Sequence, residues 1–169
     1  MTQIINRPTE IEHRRLRFMV MDAPNNDNLN AYIKEMRQFG VTDLVRTCEA
    51  TYSDEILEQS GIRTHELLFP DGEPPPDHVI KEWMSLVNDT QKRGNEKSAV
   101  AVHCVAGLGR APVLVAVALI EKGMDALDAI MFIRERRKGA INARQLKFLE
   151  TYRPRTNGSG GCKACCAVM

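Results

Sequence analysis

The sequence predicts an α/β fold with a mostly parallel central sheet flanked by helices. Short strand-like segments at 17–21, 41–47, 62–68 and 98–102 alternate with longer stretches of helical periodicity. The run at 98–102 is apolar beyond its first residue, as a central strand buried on both faces reads. The length of 169 residues, with 43% hydrophobic and 27% charged residues, suits one domain with a sizeable core.

The elements follow in order. Residues 17–21 read as the first strand, and 25–30 as a polar turn. Asn28 is placed to cap a helix whose Tyr32, Ile33, Met36 and Phe39 share one face, and Gly40 ends it. Residues 41–47 form the second strand, with Cys48 at its C-terminal end. Ser53 caps a short helix that buries Ile56 and Leu57 and stops at Gly61. Residues 62–68 alternate as the third strand. Pro70-Asp71-Gly72-Glu73-Pro74-Pro75-Pro76 excludes regular structure and reads as a stiff loop. Asp77 caps a helix carrying Val79, Ile80, Trp83, Leu86 and Val87. After the fourth strand, 111–121 is a helix apolar on nearly all sides, and so buried. Asp125 caps the next, with Leu127, Ile130 and Ile133 inward. A last helix covers 142–152. The sequence divides into a domain at 1–152 and a tail at 153–169 that opens on a Gly/Ser-rich linker.

Composition excludes several functions. Lys plus Arg number 23 against 22 Asp plus Glu, a net charge of +1, which gives no footing for a nucleic-acid partner. The longest apolar run, 111–120, is too short to span a bilayer, and the N-terminus lacks an apolar signal core. The five cysteines are Cys48, Cys104, Cys162, Cys165 and Cys166; an odd set with three in the last eight residues is not a disulfide framework. A reducing cytosol is expected.

The chemistry concentrates at Val102-His103-Cys104-Val105-Ala106-Gly107-Leu108-Gly109-Arg110-Ala111-Pro112. It leads from an apolar strand into an apolar helix through a loop with two glycines. Such a loop aims backbone N–H groups at one spot, a ready anion site. Gly107 and Gly109 permit the positive φ values of a tight nest. Arg110 offers a planar fork matched to two phosphate oxygens. Helix-terminal N–H groups and a nearby arginine also favour ionisation of a thiol. Cys104 is therefore the candidate nucleophile for attack on phosphorus. His103 reads as a buried histidine that orients the loop. A departing tyrosine oxygen needs a proton. Asp71, on the Pro-rich loop, is the candidate acid, and Glu73 on the same loop competes with it.

Residues 98–122, with Arg46-Thr47-Cys48-Glu49-Ala50-Thr51-Tyr52 and Arg136-Arg137-Lys138-Gly139-Ala140-Ile141-Asn142, closely resemble the phosphatase of regenerating liver family (protein tyrosine phosphatases of type IVA). The resemblance runs from about residue 17 to residue 152 and includes the last four residues. It implies the cysteine-dependent dual-specificity/protein tyrosine phosphatase fold and no cofactor or metal. Cys104 is then the nucleophile, Asp71 the acid, and Arg110 with the loop residues Val105, Ala106, Gly107, Leu108 and Gly109 the phosphate binder. It also implies a reversible disulfide between Cys48 and Cys104. Glu49 is a further partner for Arg110 when no phosphate is bound. The implied substrates are phosphotyrosine proteins or other phosphate esters. The implied alternative is a regulatory protein that binds CBS-domain magnesium transport mediators, switched by phosphorylation or oxidation of Cys104. A homotrimer is a further implication.

Three features depart from common patterns. Ala111 stands where most cysteine phosphatases carry a hydroxyl that assists the leaving thiolate, so slow turnover is expected. The acid loop, Leu68-Phe69-Pro70-Asp71-Gly72, lacks the family's extra acidic residue. The basic stretch before the tail is reduced to Arg153, Arg155 and Lys163.

The chain ends Cys166-Ala167-Val168-Met169, a farnesylation box at Cys166. One lipid chain gives marginal membrane binding, so Cys162 or Cys165 is a candidate for palmitoylation as the second signal. Cys162 and Cys165 as a zinc pair lack a second pair of ligands. The expected location is the cytoplasmic face of the plasma membrane and endosomes, with a cytosolic or nuclear pool when unprenylated.

Overall fold

The computed structural model describes residues 3–155. In chain order the elements are β1 (Thr9–His13), β2 (Leu16–Met21), α1 (Leu29–Phe39), β3 (Val41–Arg46), α2 (Glu55–Gln59), β4 (Arg63–Glu66), α3 (Asp77–Arg93), β5 (Ala99–His103), α4 (Arg110–Glu121), α5 (Ala126–Arg136) and α6 (Ala143–Thr151). The sheet has five strands in the order β1-β2-β5-β3-β4. β2, β5, β3 and β4 run parallel, and β1 lies antiparallel on the edge. The sheet is mixed, and mostly parallel as expected.

The pleat divides the apolar residues between two faces. Phe18, Val20, Val100 and Val102 pack with α3, α4, α5 and α6, while Met19, Met21, Ala99 and Ala101 pack with α1. All twelve residues of α4 are buried, so the most apolar helix is the core of the first face. Trp83 is fully buried and donates its indole N–H to Leu114 O at 2.6 Å.

Several expectations need correction. β1 lies outside the expected elements, because Ile11 is the only apolar residue in Thr9-Glu10-Ile11-Glu12-His13 and the strand sits at the sheet edge. Leu127 and Ile56 face solvent, at 55% and 37% exposure, because each sits in the first turn of its helix beyond the edge of the core. Asn28 stands at the N-cap of α1, but its Oδ1 accepts from the Asn25 N–H and not from the helix. Asp54, not Ser53, is the N-cap of α2, although Ser53 Oγ accepts from the Glu55 N–H at 3.4 Å. Pro76 precedes α3, and Asp77 within it pairs with Lys81 and Arg155. Asp125 caps α5 through its side chain as expected, and Asn142, the expected start of the last helix, is instead the side-chain N-cap of α6.

Candidate active site

The parallel strands end together: Met21 pairs with His103, and His103 with Arg46. The residues that follow, Cys104 after β5 and Thr47 and Cys48 after β3, meet at the C-terminal edge of the sheet, where open α/β sheets hold their ligands. Thr47 fastens the two ends, donating its N–H and its hydroxyl to His103 O at 3.0 and 2.9 Å.

Cys104 opens the loop that turns into α4. Its side chain is buried at 3% exposure, as is Cys48 at 8%, and both are free thiols. Gly107 has φ of +65°, and an added Cβ would stand 2.5 Å from Arg137 Nη2 and 2.6 Å from Met21 O, so only glycine fits. The loop thus leads into the N-terminus of α4, the end of a helix that favours an anion.

Arg110, the first residue of α4, is buried. Its Nη1 donates to Thr47 O and Phe69 O, both at 3.2 Å, which ties the β3 end and the acid loop to the cradle. Its Nε, sealed from solvent, has no hydrogen-bond acceptor among the described residues and lies 3.5 Å from Asp71 Oδ1. Asp71 itself is exposed at the mouth. Geometry therefore separates the two candidate acids: Asp71 faces Arg110, whereas Glu73 pairs with Arg144 at 2.5 Å. Glu49 is exposed, and Asp71 occupies the acidic position expected of it beside Arg110.

The sequence reading missed Arg137. Its guanidinium is buried, and Nε donates to Gly107 O at 2.6 Å. Nη2 donates to Ala106 O at 3.2 Å and pairs with Asp22 at 2.7 Å, and Nη1 reaches Thr9 Oγ1 at 3.0 Å and Val20 O at 3.4 Å. One side chain thereby pins the cradle loop to β1 and β2. The fork geometry of arginine meets this set of acceptors, and lysine does not.

His103 is fully buried. Nδ1 lies 3.2 Å from Cys104 O, so it carries the hydrogen, and Nε2 accepts from the Tyr52 hydroxyl at 2.6 Å. Cys48 Sγ lies 3.9 Å from Nδ1. Burial pushes the His103 pKa down to about 4, and burial pushes the Cys48 thiol and the Tyr52 phenol up. All three are neutral at pH 7, and His103 serves as a fixed strut behind the loop.

This carries a pH dependence. Below the ordinary histidine value of about 6.5 the unfolded chain takes up a proton that folded His103 refuses. Its contribution to stability is present above pH 6.5 and is lost as pH falls toward about 4. The urea midpoint is expected to fall across that window, with His103→Gln flattening the slope; an identical slope in the variant would refute the assignment.

The class is defined by the cradle on α4, the thiol within it and the acid facing it from a separate loop: a dual-specificity/protein tyrosine phosphatase domain. Residues 14–160 match the family described as "Swiss Army Knife protein, DSP-PTPase phosphatase domain". A mouse protein tyrosine phosphatase type IVA 3 is 49% identical over 148 residues, covering 88% of this chain and 85% of its own. The PRL-1 phosphatase of Drosophila melanogaster is 45% identical over 164 residues, 96% of this chain and 93% of its own. The solved structure of a protein tyrosine phosphatase from Leishmania major superposes with a TM-score of 0.78 at 41% identity, covering 86% of this chain and 98% of that one. The chain belongs to the protein tyrosine phosphatase type IVA, or PRL, family, and it is a protein-tyrosine phosphatase.

Proposed function

We propose that the chain hydrolyses phosphotyrosine esters through a phosphocysteine at Cys104. The observation that carries this is the meeting, at one sheet edge, of a thiol, a buried guanidinium and a carboxyl from a loop outside the cradle. The Cys104 thiolate attacks phosphorus as the bond to the tyrosyl oxygen breaks. Asp71, entering protonated, gives its proton to that oxygen. Arg110 and the loop amides of Val105, Ala106, Gly107, Leu108 and Gly109 hold the equatorial oxygens. Water then attacks phosphorus, Asp71 takes its proton, and inorganic phosphate leaves with the thiolate restored.

The second half-reaction is the slow one. Ala111 is fully buried and carries no hydroxyl to stabilise the departing sulfur. One hydrogen bond of roughly 0.5–1.5 kcal/mol corresponds to up to about tenfold in rate. Rapid-quench trapping with an aryl phosphate is expected to find one phosphate per chain on Cys104 that forms faster than it decays. Ala111→Ser is expected to speed that decay by up to about tenfold. Label absent from Cys104 would overturn the reaction, and a decay unaltered in Ala111→Ser would overturn the role of residue 111.

A second reading is favoured by Ala111 together with the exposed apolar residues on the cradle and acid loops: Val105 at 64%, Leu68 at 45% and Leu108 at 38%. A long-lived phosphocysteine framed by apolar side chains suits a switchable binding protein for CBS-domain magnesium transport mediators. A peroxide, reduced to water as it takes two electrons and both thiol protons, would join Cys48 and Cys104 in a disulfide and close the same switch. Farnesylation at Cys166 and acylation at Cys162 or Cys165 fall outside the described residues. They complete a reading in which the enzyme is tethered to the cytoplasmic faces of plasma membrane and endosomes. Arg155 is paired with Asp77 at 2.5 Å, which leaves fewer free cations beside the tail and strengthens the case for a second acyl chain.

A further inference from the structure

The capping box of α6 is built from two carboxamides. Asn142 Oδ1 accepts from the Gln145 N–H at 2.8 Å, and Gln145 Oε1 accepts from the Asn142 N–H at 3.1 Å. These bonds use only the oxygens, and each side chain retains an amino group. Both amino groups turn to the acid loop. Asn142 Nδ2 donates to Gly72 O at 3.2 Å, and Gln145 Nε2 to Glu73 O at 3.4 Å. Between them Arg144 pairs with the Glu73 carboxylate. A helix cap needs acceptors alone, which Ser, Asp or Glu would supply. Among the described residues the donors serve the two carbonyls that follow Asp71.

The same segment grips the cradle. The Ile141 N–H donates to Leu108 O at 2.7 Å, and Arg134 holds Ala140 O and Ile141 O at 3.0 and 2.8 Å. Ile141 has φ of +67°, a conformation that strains a β-branched residue and persists only where its surroundings enforce it. Gln145, fully buried, packs where a Cβ on Gly109 would meet it at 3.3 Å. One short stretch thus touches the nucleophile's loop on one side and the acid's loop on the other.

We propose that Asn142, Arg144 and Gln145 are positioning residues that latch the Asp71 loop over the cradle before substrate arrives. The proposal rests on Asp71 being the general acid. The sharp variant is Asn142→Asp, which keeps the capping oxygen and sets a second oxygen against the Gly72 carbonyl. The readout is the first-turnover release of phenol from phenyl phosphate, a poor leaving group, divided by that of dinitrophenol from dinitrophenyl phosphate, a good one. Asn142→Asp is expected to lower this ratio by about threefold to tenfold with the urea midpoint unchanged. Glu73→Ala and Arg144→Ala each lower it about twofold, and the exchange Glu73→Arg with Arg144→Glu restores it. A wild-type ratio in Asn142→Asp, or equal losses on both substrates, overturns the latch. Asp71→Asn is the control: if it leaves the ratio intact, the acid assignment itself fails.

Discussion

Cys104→Ser is expected to abolish turnover, by about 10⁴-fold or more, the scale on which removal of a covalent nucleophile registers, while leaving the fold in place. The side chain is buried, and serine is close to it in size, so packing changes little. The cradle loop leads into the N-terminus of α4, where Arg110 stands, and a helix N-terminus favours anions. A neutral hydroxyl there is a poor nucleophile, and Asp71, which enters that step protonated to serve the leaving group, is not free to take its proton. His103 points Nδ1 at Cys104 O and Nε2 at Tyr52, away from that duty. Phosphate binding relies on donors the substitution leaves untouched. Inorganic phosphate affinity is expected to stay within a few-fold of the parent. Steady-state hydrolysis above about a hundredth of the parent rate would remove Cys104 from the reaction.

Arg137→Met is expected to destabilise the domain by about 3–5 kcal/mol, the range for breaking one side of a buried ion pair. It is also expected to lower activity on every substrate alike. Methionine matches the stem but leaves Asp22 without its 2.7 Å partner and Gly107 O and Ala106 O without donors. For a chain of this length the melting temperature should drop by roughly 6–20 °C. Arg137→Lys keeps the charge but cannot span β1, β2 and the cradle loop together, so it should fall between. Calorimetry and urea unfolding measure this directly, and a loss under about 1 kcal/mol would show that the contacts are incidental.

The difference between these two residues shows what a linear chain reveals. Cys104 is legible because its whole context is local: an apolar strand, two glycines, Arg110 and an apolar helix within a dozen positions. β5 and α4 are legible because burial on all sides leaves their interiors apolar, with polar residues only at their ends, His103, Arg110 and Glu121. Arg137 sits in Arg134-Glu135-Arg136-Arg137-Lys138, which reads as a solvated face. Only the topology brings it to Asp22 and Gly107. β1 shows one buried residue among charged ones, too little for a period to register. The choice between Asp71 and Glu73 turns on which arginine each one faces, Arg110 or Arg144, and that is a matter of three dimensions. The Asn142 capping box is written openly as Asn-x-x-Gln, but its second duty lies in atoms that a cap does not use.

Every residue of α4 is enclosed. The helix behind the Cys104 loop has no freedom to shift without dismantling the domain, so the floor of the pocket is the same for any ester that arrives. Discrimination among esters falls to the bordering segments: the acid loop, the stretch after β3 and the turn into α6. Sequence drift in those borders retunes what the enzyme accepts, while the floor withstands almost none.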